Sequence, residues 1–223
     1  MNGISIPLTA LFVLLAVSSA AEDTDGCVDE AIASVQKRYE SVVDLRAQFV
    51  QTGRSVTLAG SASAGETISR GSVVFAKPGK MRWSYTEPEP SLTVSDGETL
   101  WLYDPAHAEV QRMSVSGGYL SGAAVQFLIG QGDVRRDFRI TPVACTLDAA
   151  ELELVPRADA SYEKIRILVE QPGGEIRRTT VVDLLGNVTQ VEFSDIEANQ
   201  NPDAAVFVFD APDGVAVVDL DAR

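Results

Sequence analysis

The feature that most limits what this chain can become is a run of short alternating segments, broken by Pro and Gly, between Gly71 and Pro105. In "GSVVFAKPGKMRWSYTEPEPSLTVSDGETLWLYDP", Met81, Trp83 and Tyr85 fall on one side of an extended chain and Lys80, Arg82 and Ser84 on the other. That is the period of a strand. Asp96-Gly97, between "SLTV" and "TLWLYD", is a hairpin signal. The pattern recurs in "DLRAQFVQT" before this stretch and "AEVQRMSV" after it. It returns in "FRITPV", "AELELVP", "YEKIRILVE", "EIRRTTVVDL", "VTQVEFSDI" and "AVFVFDAP". The spacing predicts about eleven strands in one antiparallel domain. Turns fall at Pro172-Gly173-Gly174, Gly186-Asn187 and Asn201-Pro202, and the Gly-, Ser- and Ala-rich stretch from Gly53 to Gly71 reads as a mobile hairpin end.

Helical spacing occurs in two or three places. From Asp29 to Val43, Ile32, Val35, Tyr39 and Val42 share one face, with acids in the first turn. Tyr119, Ala123, Ala124, Phe127 and Leu128 repeat the spacing inside "GGYLSGAAVQFLIGQGDVRRDF". The first 21 residues stand apart: an apolar run from Leu8 to Val17 leads to small residues at Ala20-Ala21, the layout of a signal peptide. That run is short for a bilayer span, which needs about 20 apolar residues. Residues 22–223 are then expected to be one exported, soluble domain, placed in the periplasm by the resemblance described below. Its two cysteines, Cys27 and Cys145, are expected to form a disulfide in that oxidising setting. The charged "DTDG" before Cys27 does not suit a lipoprotein signal.

Composition removes several functions. A net charge of −14 repels phosphate backbones, so nucleic acid is a poor partner. The chain has one histidine, His107, in the loop "DPAHAEV" with no nucleophile-elbow pattern nearby. No metal, cofactor or catalytic residue is called for. "GQGD" at 130–133 is too short for a phosphate fingerprint, and Glu151 and Glu153 read as a solvated strand face. Two segments do not alternate: "SVVF" and "LWLY" are apolar on both faces, so a second layer must cover each side. Either the sheet packs on itself as a sandwich or closed barrel, or an incompletely closed barrel keeps an apolar hollow under helices.

The same stretch resembles the periplasmic outer-membrane lipoprotein carrier family, LolA. The resemblance rests on Gly71, Lys77-Pro78-Gly79, Arg82-Trp83-Ser84-Tyr85, Pro88, Val94-Ser95-Asp96-Gly97 and Leu100-Trp101-Leu102-Tyr103. "LRAQFVQT" is similar to that family's first strand, "AAVQFLIGQGDVRRDF" to its lid helix, and "AAVFVFDAPDGVAVVD" to its closing strand. The resemblance implies an unclosed antiparallel β-barrel covered by helices, acting as a non-catalytic, monomeric carrier. Its cargo would be acylated lipoproteins, taken from an inner-membrane ABC transporter to an outer-membrane lipoprotein receptor. It further implies a cavity wall that includes Tyr39, Met81, Trp83, Tyr85, Val125, Phe127 and Leu128. Two positions depart from the family pattern. Lys77 stands where the family usually has an Arg that holds the helical lid, and Met81 where an aromatic or bulky residue is common. A lipid-sensing domain of the same shape, or a hydrolase using a carboxylate pair, stays open as an alternative.

Overall fold

The computed structural model describes residues 22–56, 66–115 and 133–221. The expected signal peptide and lid helix lie outside them, as do Val125, Phe127 and Leu128. Helix α1 spans Glu22–Ser41 and is followed by strand β1, Asp44–Arg54. A meander continues through β2 (Thr67–Ala76), β3 (Lys80–Glu87), β4 (Ser91–Asp96), β5 (Thr99–Asp104) and β6 (Glu109–Ser114). The one-turn helix α2 (Val134–Asp137) leads into a second meander. This comprises β7 (Phe138–Cys145), β8 (Ala149–Pro156), β9 (Tyr162–Glu170), β10 (Glu175–Asp183) and β11 (Val188–Ala198). A 3₁₀ turn at Ala204–Phe207 and a short β12 (Ala216–Asp219) complete the described chain.

All the strands form one sheet, in the order β12-β6-β5-β4-β3-β2-β1-β11-β10-β9-β8-β7. The edges β12 and β7 do not pair with each other, so the sheet is unclosed. Twelve strands replace the expected eleven or so. The ladder is antiparallel except at β12, which pairs parallel with β6. "AVFVFDAP" is not the expected strand. Asp203 caps the 3₁₀ turn there, its side chain accepting from the Ala205 N–H at 2.9 Å. Helix α1 also begins earlier than Asp29, and β2 begins at Thr67, inside the stretch expected to be a hairpin end.

The sheet's core lies on the face that carries α1. Ala31, Ile32, Val35 and Tyr39 on that helix, and Val42 just past its end, are almost fully buried. Their 3–4 residue spacing lays one apolar stripe on β7, β8 and β10. Beneath it sit Leu152, Leu154, Ile165, Ile167, Val169 and Ile176. Fully burying such a side chain stabilises by about 1.5–3 kcal/mol, so this stripe, not helix propensity, holds α1 in place. The expected disulfide is present, joining Cys27 in α1 to Cys145 at the end of β7.

The second layer over the doubly apolar strands comes from an unexpected source. Leu100 and Leu102 face the α1 side, while Val94, Trp101 and Tyr103 face the other. Residues 204–209 run across that opposite side. Phe207 is buried there, and Phe209 stacks 6.2 Å from Trp101 and 5.7 Å from Tyr103, ring centre to ring centre. Arg82 on β3 fastens the segment by donating to the Val206 carbonyl at 3.2 Å. Hence, among the described residues, the cover over this part of the outer face is a 3₁₀ turn and the irregular chain that follows it.

The β9–β10 turn shows how tightly α1 is seated. Gly174 has φ +69°, and a Cβ there would lie 2.4 Å from the Ser34 carbonyl carbon and oxygen of the helix. A Cβ on neighbouring Gly173 would meet nothing within 4 Å. Gly174→Ala should therefore destabilise the fold by more than about 2 kcal/mol, whereas Gly173→Ala stays within about 0.5 kcal/mol of wild type. Urea titration followed by circular dichroism separates the two; equal losses would mean the helix is not packed on this turn.

Candidate functional site

Across β1–β3 and β11 the α1-bearing face of the sheet is lined by aromatic residues, and Leu100, Leu102 and Met113 continue it on β5 and β6. The cross-strand registers explain the grouping. Phe193, Phe49, Gly71 and Tyr85 form one row across β11, β1, β2 and β3, and Ala47, Val73 and Trp83 form the next. Gly71 is what lets the first row assemble. A Cβ there would sit 1.9 Å from the Ser84 carbonyl oxygen and 2.9 Å from the Phe49 ring. With no side chain between them, Phe49 and Tyr85 meet edge to face at 5.1 Å. Trp83 is the hub, 4.8 Å from Phe49, 5.9 Å from Phe75 and 6.3 Å from Phe193.

This cluster differs from the one under α1 in how far it is closed. Phe49, Phe75 and Met81 are buried, but Trp83, Tyr85, Leu102, Phe193 and Ile196 are only half-buried. Leu45 packs against both clusters, which therefore share one face of the sheet. That face is divided: an aliphatic half sealed by α1, and an aromatic half with surface to spare.

Of the expected wall residues, Met81, Trp83 and Tyr85 are brought together here. Tyr39 is not among them. Its ring lies in the aliphatic cluster, where its hydroxyl accepts from the Ile176 N–H at 3.4 Å. Lys77 reaches the same residue from the β2–β3 turn, its Nζ donating to the Tyr39 carbonyl at 2.6 Å in the last turn of α1. A cation suits that position, where helix carbonyls lack partners and the dipole is negative. Burial pushes the Lys77 pKa below its ordinary value, with Glu40 opposing.

Sequence reasoning missed Phe49, Phe75, Phe193 and Gln51 as members of this group. Strict alternation in "DLRAQFVQT" and "VTQVEFSDI" already placed Phe49 and Phe193 on apolar faces. Only the β1–β11 register shows that those faces are the same one. Polar chemistry is sparse. The Tyr85 hydroxyl donates to Gln51 Oε1 at 2.9 Å, and Trp83 Nε1 is buried without a hydrogen-bond partner.

No alternative centre competes with this face among the described residues. None of them form a group of His, Cys, Asp and Glu that could hold a metal, and no helix is long and apolar enough to cross a membrane. His107 is exposed, its Nδ1 2.7 Å from Asp104 Oδ2 within its own turn. Glu153 pairs with Arg166 at 2.9 Å and Lys164 at 3.3 Å, and Glu151 with Arg178 at 3.4 Å; these carboxylates are ordinary cross-strand ion pairs. A cavity of about 1050 Å³ lies elsewhere, beside the disulfide, and is lined by Glu30, Ser34, Val143, Leu147 and Pro172 among others. The described residues of its lining mix polar and apolar groups, with no aromatic ring among them.

Comparison with known proteins agrees with this picture. Residues 40–210 match the family described as outer membrane lipoprotein carrier protein LolA. A Dechloromonas aromatica (strain RCB) protein named outer-membrane lipoprotein carrier protein is 34% identical over 153 residues, covering 67% of this chain and 71% of its own. A protein of the same name from Bordetella avium (strain 197N) is 31% identical over 208 residues, covering 93% of this chain and 94% of its own. The crystal structure of an uncharacterized conserved protein from Thermus thermophilus superposes with a TM-score of 0.52 at 13% identity. It matches 86% of this chain and 98% of that one, and so supports the fold. The chain belongs to the LolA family of outer-membrane lipoprotein carrier proteins.

The two phenols give a titration test of this geometry. Burial raises the pKa of both Tyr39 and Tyr85 above 10.0, opposed by hydrogen bonding from the Ile176 backbone and from Gln51 respectively. The fold therefore favours their neutral forms. That stability is fully present below pH 10 and is lost as pH rises through the raised folded-state values. Absorbance at 295 nm should show a late tyrosinate component that shrinks in Tyr85→Phe; ionisation of every tyrosine at its ordinary value would contradict the burial.

Proposed function

We propose that the aromatic half of the sheet face is a seat for the acyl chains of lipoproteins. On this reading the protein is a periplasmic carrier that ferries them from an inner-membrane ABC transporter to an outer-membrane lipoprotein receptor. The observation that carries the proposal is the half-buried Trp83–Tyr85–Phe193 surface, left on a sheet whose other half is sealed. Large, flat, partly covered rings suit flexible hydrocarbon better than they suit a polar substrate. Met81 at the floor adds an adaptable, polarizable contact. Membership in a carrier family, a disulfide fit for an oxidising compartment, and the acidic composition support the same reading.

Magnitude shapes the mechanism. Each buried methylene contributes about 0.8 kcal/mol, so a dozen would give roughly 10 kcal/mol. Enclosing several chains completely would bind cargo too tightly to release. A seat formed by one open face, covered incompletely, holds the chains and still lets them go. Lys77 has a place in that cycle: by gripping the end of α1 it anchors the helical cover over the face. Val125, Phe127 and Leu128 are proposed to complete the wall, and Tyr39 to brace it from the helix.

Two experiments test these roles. In a Trp101→Phe background, an acyl chain brominated along its length should quench the remaining Trp83 emission. In Trp83→Phe the same probe should leave Trp101, on the opposite face, nearly unquenched. Quenching of Trp101 instead would move the seat to the other side of the sheet. Trp83→Ala, checked for native circular dichroism, should cut release of lipoproteins from inner-membrane vesicles by about tenfold or more, a loss of at least about 1.4 kcal/mol. Lys77→Ala should speed amide exchange in the last turn of α1 and alter that release; if neither changes, Lys77 has no anchoring role.

A further inference from the structure

The first turns of α1 are held differently from the rest of the helix. From Ala31 onward the apolar stripe is buried, whereas none of residues 26–30 is. Cys27 and Val28 are only partly buried where they pack against the aliphatic cluster. Asp29 pairs with Arg135 at 2.5 Å, but both side chains are exposed, and such pairs are worth little. The strong link between this end of α1 and β7 is therefore the Cys27–Cys145 bond.

That bond is also within reach of solvent. Both half-cystines are half-buried and belong to the wall of the cavity of about 1050 Å³ beside α1. Ala144 and Leu147, close to Cys145 in the chain, line it too, and Leu147 is 94% exposed. β7 is the last strand of the sheet, and its outer edge has no strand partner among the described residues. The two sulfurs differ in their surroundings. Gln171, from the β9–β10 turn, places Nε2 3.9 Å from Cys27 Sγ. Among the described residues no such donor reaches Cys145 Sγ. A donor at Cys27 stabilises negative charge on that sulfur. Glu30, one helical turn further along, is the one charged group in the described lining and works against it.

We infer that the Cys27–Cys145 bond is a site of thiol–disulfide exchange in the folded protein, attacked at Cys145 by a dithiol that enters this cavity. A thiolate of the dithiol attacks Cys145 Sγ. A new sulfur–sulfur bond forms, the Cys27–Cys145 bond breaks, and its electron pair leaves on Cys27 Sγ beside Gln171. The second thiolate of the dithiol then displaces Cys145. The dithiol ends as a disulfide and the protein as two thiols, whose protons come from the two thiols consumed. Run backwards, the same steps close the bond. Opening is local, because the stripe from Ala31 to Tyr39 and the ties of Lys77 and Asn199 hold the rest of the helix. The exchange site thus acts as a redox-controlled clasp on the first turns of α1, and the inference stands apart from acyl binding.

The test treats the whole mature protein with dithiothreitol and counts free thiols by alkylation and mass spectrometry. Both cysteines should become alkylatable at a rate that urea below the unfolding transition leaves unchanged. Circular dichroism should stay native, while amide exchange speeds up before Ala31 and not after Ile32. Thioredoxin lacking its resolving cysteine should be trapped as a mixed disulfide on Cys145. Gln171→Met keeps the length of the side chain and removes the donor. It should slow reduction about two- to tenfold and raise the pKa of Cys27 in the reduced protein, which a purely structural role would not do. Reduction that speeds up with urea in step with global unfolding, or loss of native circular dichroism on reduction, would overturn the inference. Trapping on Cys27, or an unchanged rate and pKa in Gln171→Met, would overturn the assignment of Cys145 as the attacked sulfur. Should that variant fail to fold, the urea series and the trapping decide on wild type alone.

Discussion

Everything in this molecule follows from a sheet that does not close on itself. Both edges are built against pairing. In β7, Pro142 removes a ladder donor and the register with β8 slips between Pro142 and Ala144. At the other edge β12 is four residues long and ends at Asp219, whose carboxylate meets Arg112 of β6 at 2.6 Å. Were those edges joined, the face carrying α1 would be a sealed interior filled by its own side chains. Because they are not, that face must be covered by something other than strands, and the principal sheet contacts of α1 are with β7, β8 and β10.

The residue types divide along the same line. Under the helix the sheet offers mainly Leu, Ile and Val, with Phe138 and Tyr162, and these interlock with Ala31, Ile32 and Val35 until almost no surface remains. Beyond it the sheet offers rings, which meet at centroid distances of 4.8–6.4 Å and leave Trp83 and Tyr85 half exposed. Aliphatic packing is finished business within the fold, whereas the ring platform still has hydrocarbon to bury. Gly71 marks the boundary of that choice, since any side chain there would part Phe49 from Tyr85.

Much of this was legible in the sequence because strand period and turn chemistry are local. Alternation in "KMRWSYTE" fixed which side Met81, Trp83 and Tyr85 share, and Asp96-Gly97 fixed the hairpin after β4. The doubly apolar "LWLY" correctly demanded cover on both faces. What covers the outer face was not legible, since the apolar run "AVFVF" reads as a buried strand yet begins as a capped 3₁₀ turn, with Phe207 buried and Phe209 against Trp101 and Tyr103 across the sheet. Tertiary packing overrode a local pattern there. Phe49 and Phe193 joined the site through a register more than a hundred residues apart in sequence, which no local signal encodes.

Tyr39 shows how the two halves of the face can be coupled without being merged. Its ring is buried with the aliphatic cluster, and its carbonyl is held by Lys77 from the turn that joins β2 to β3, the strands bearing Gly71, Phe75 and Trp83. One residue thus receives forces from the sealed half through its side chain and from the aromatic half through its backbone. The grip is a single charge-assisted contact, worth about 1.5–3 kcal/mol in favourable cases, and the lowered pKa of Lys77 shows that burial already offsets part of it. An Arg could bring a fork of donors to the same helix end and hold it in two directions; Lys supplies a point. Lys77 is one of several ties at that helix end: Asn199 Nδ2 donates to the Ser41 carbonyl at 3.3 Å, and Arg38 pairs with Glu175. The helix end therefore receives ties from both halves of the sheet, Lys77 from the β2–β3 turn and Glu175 from β10.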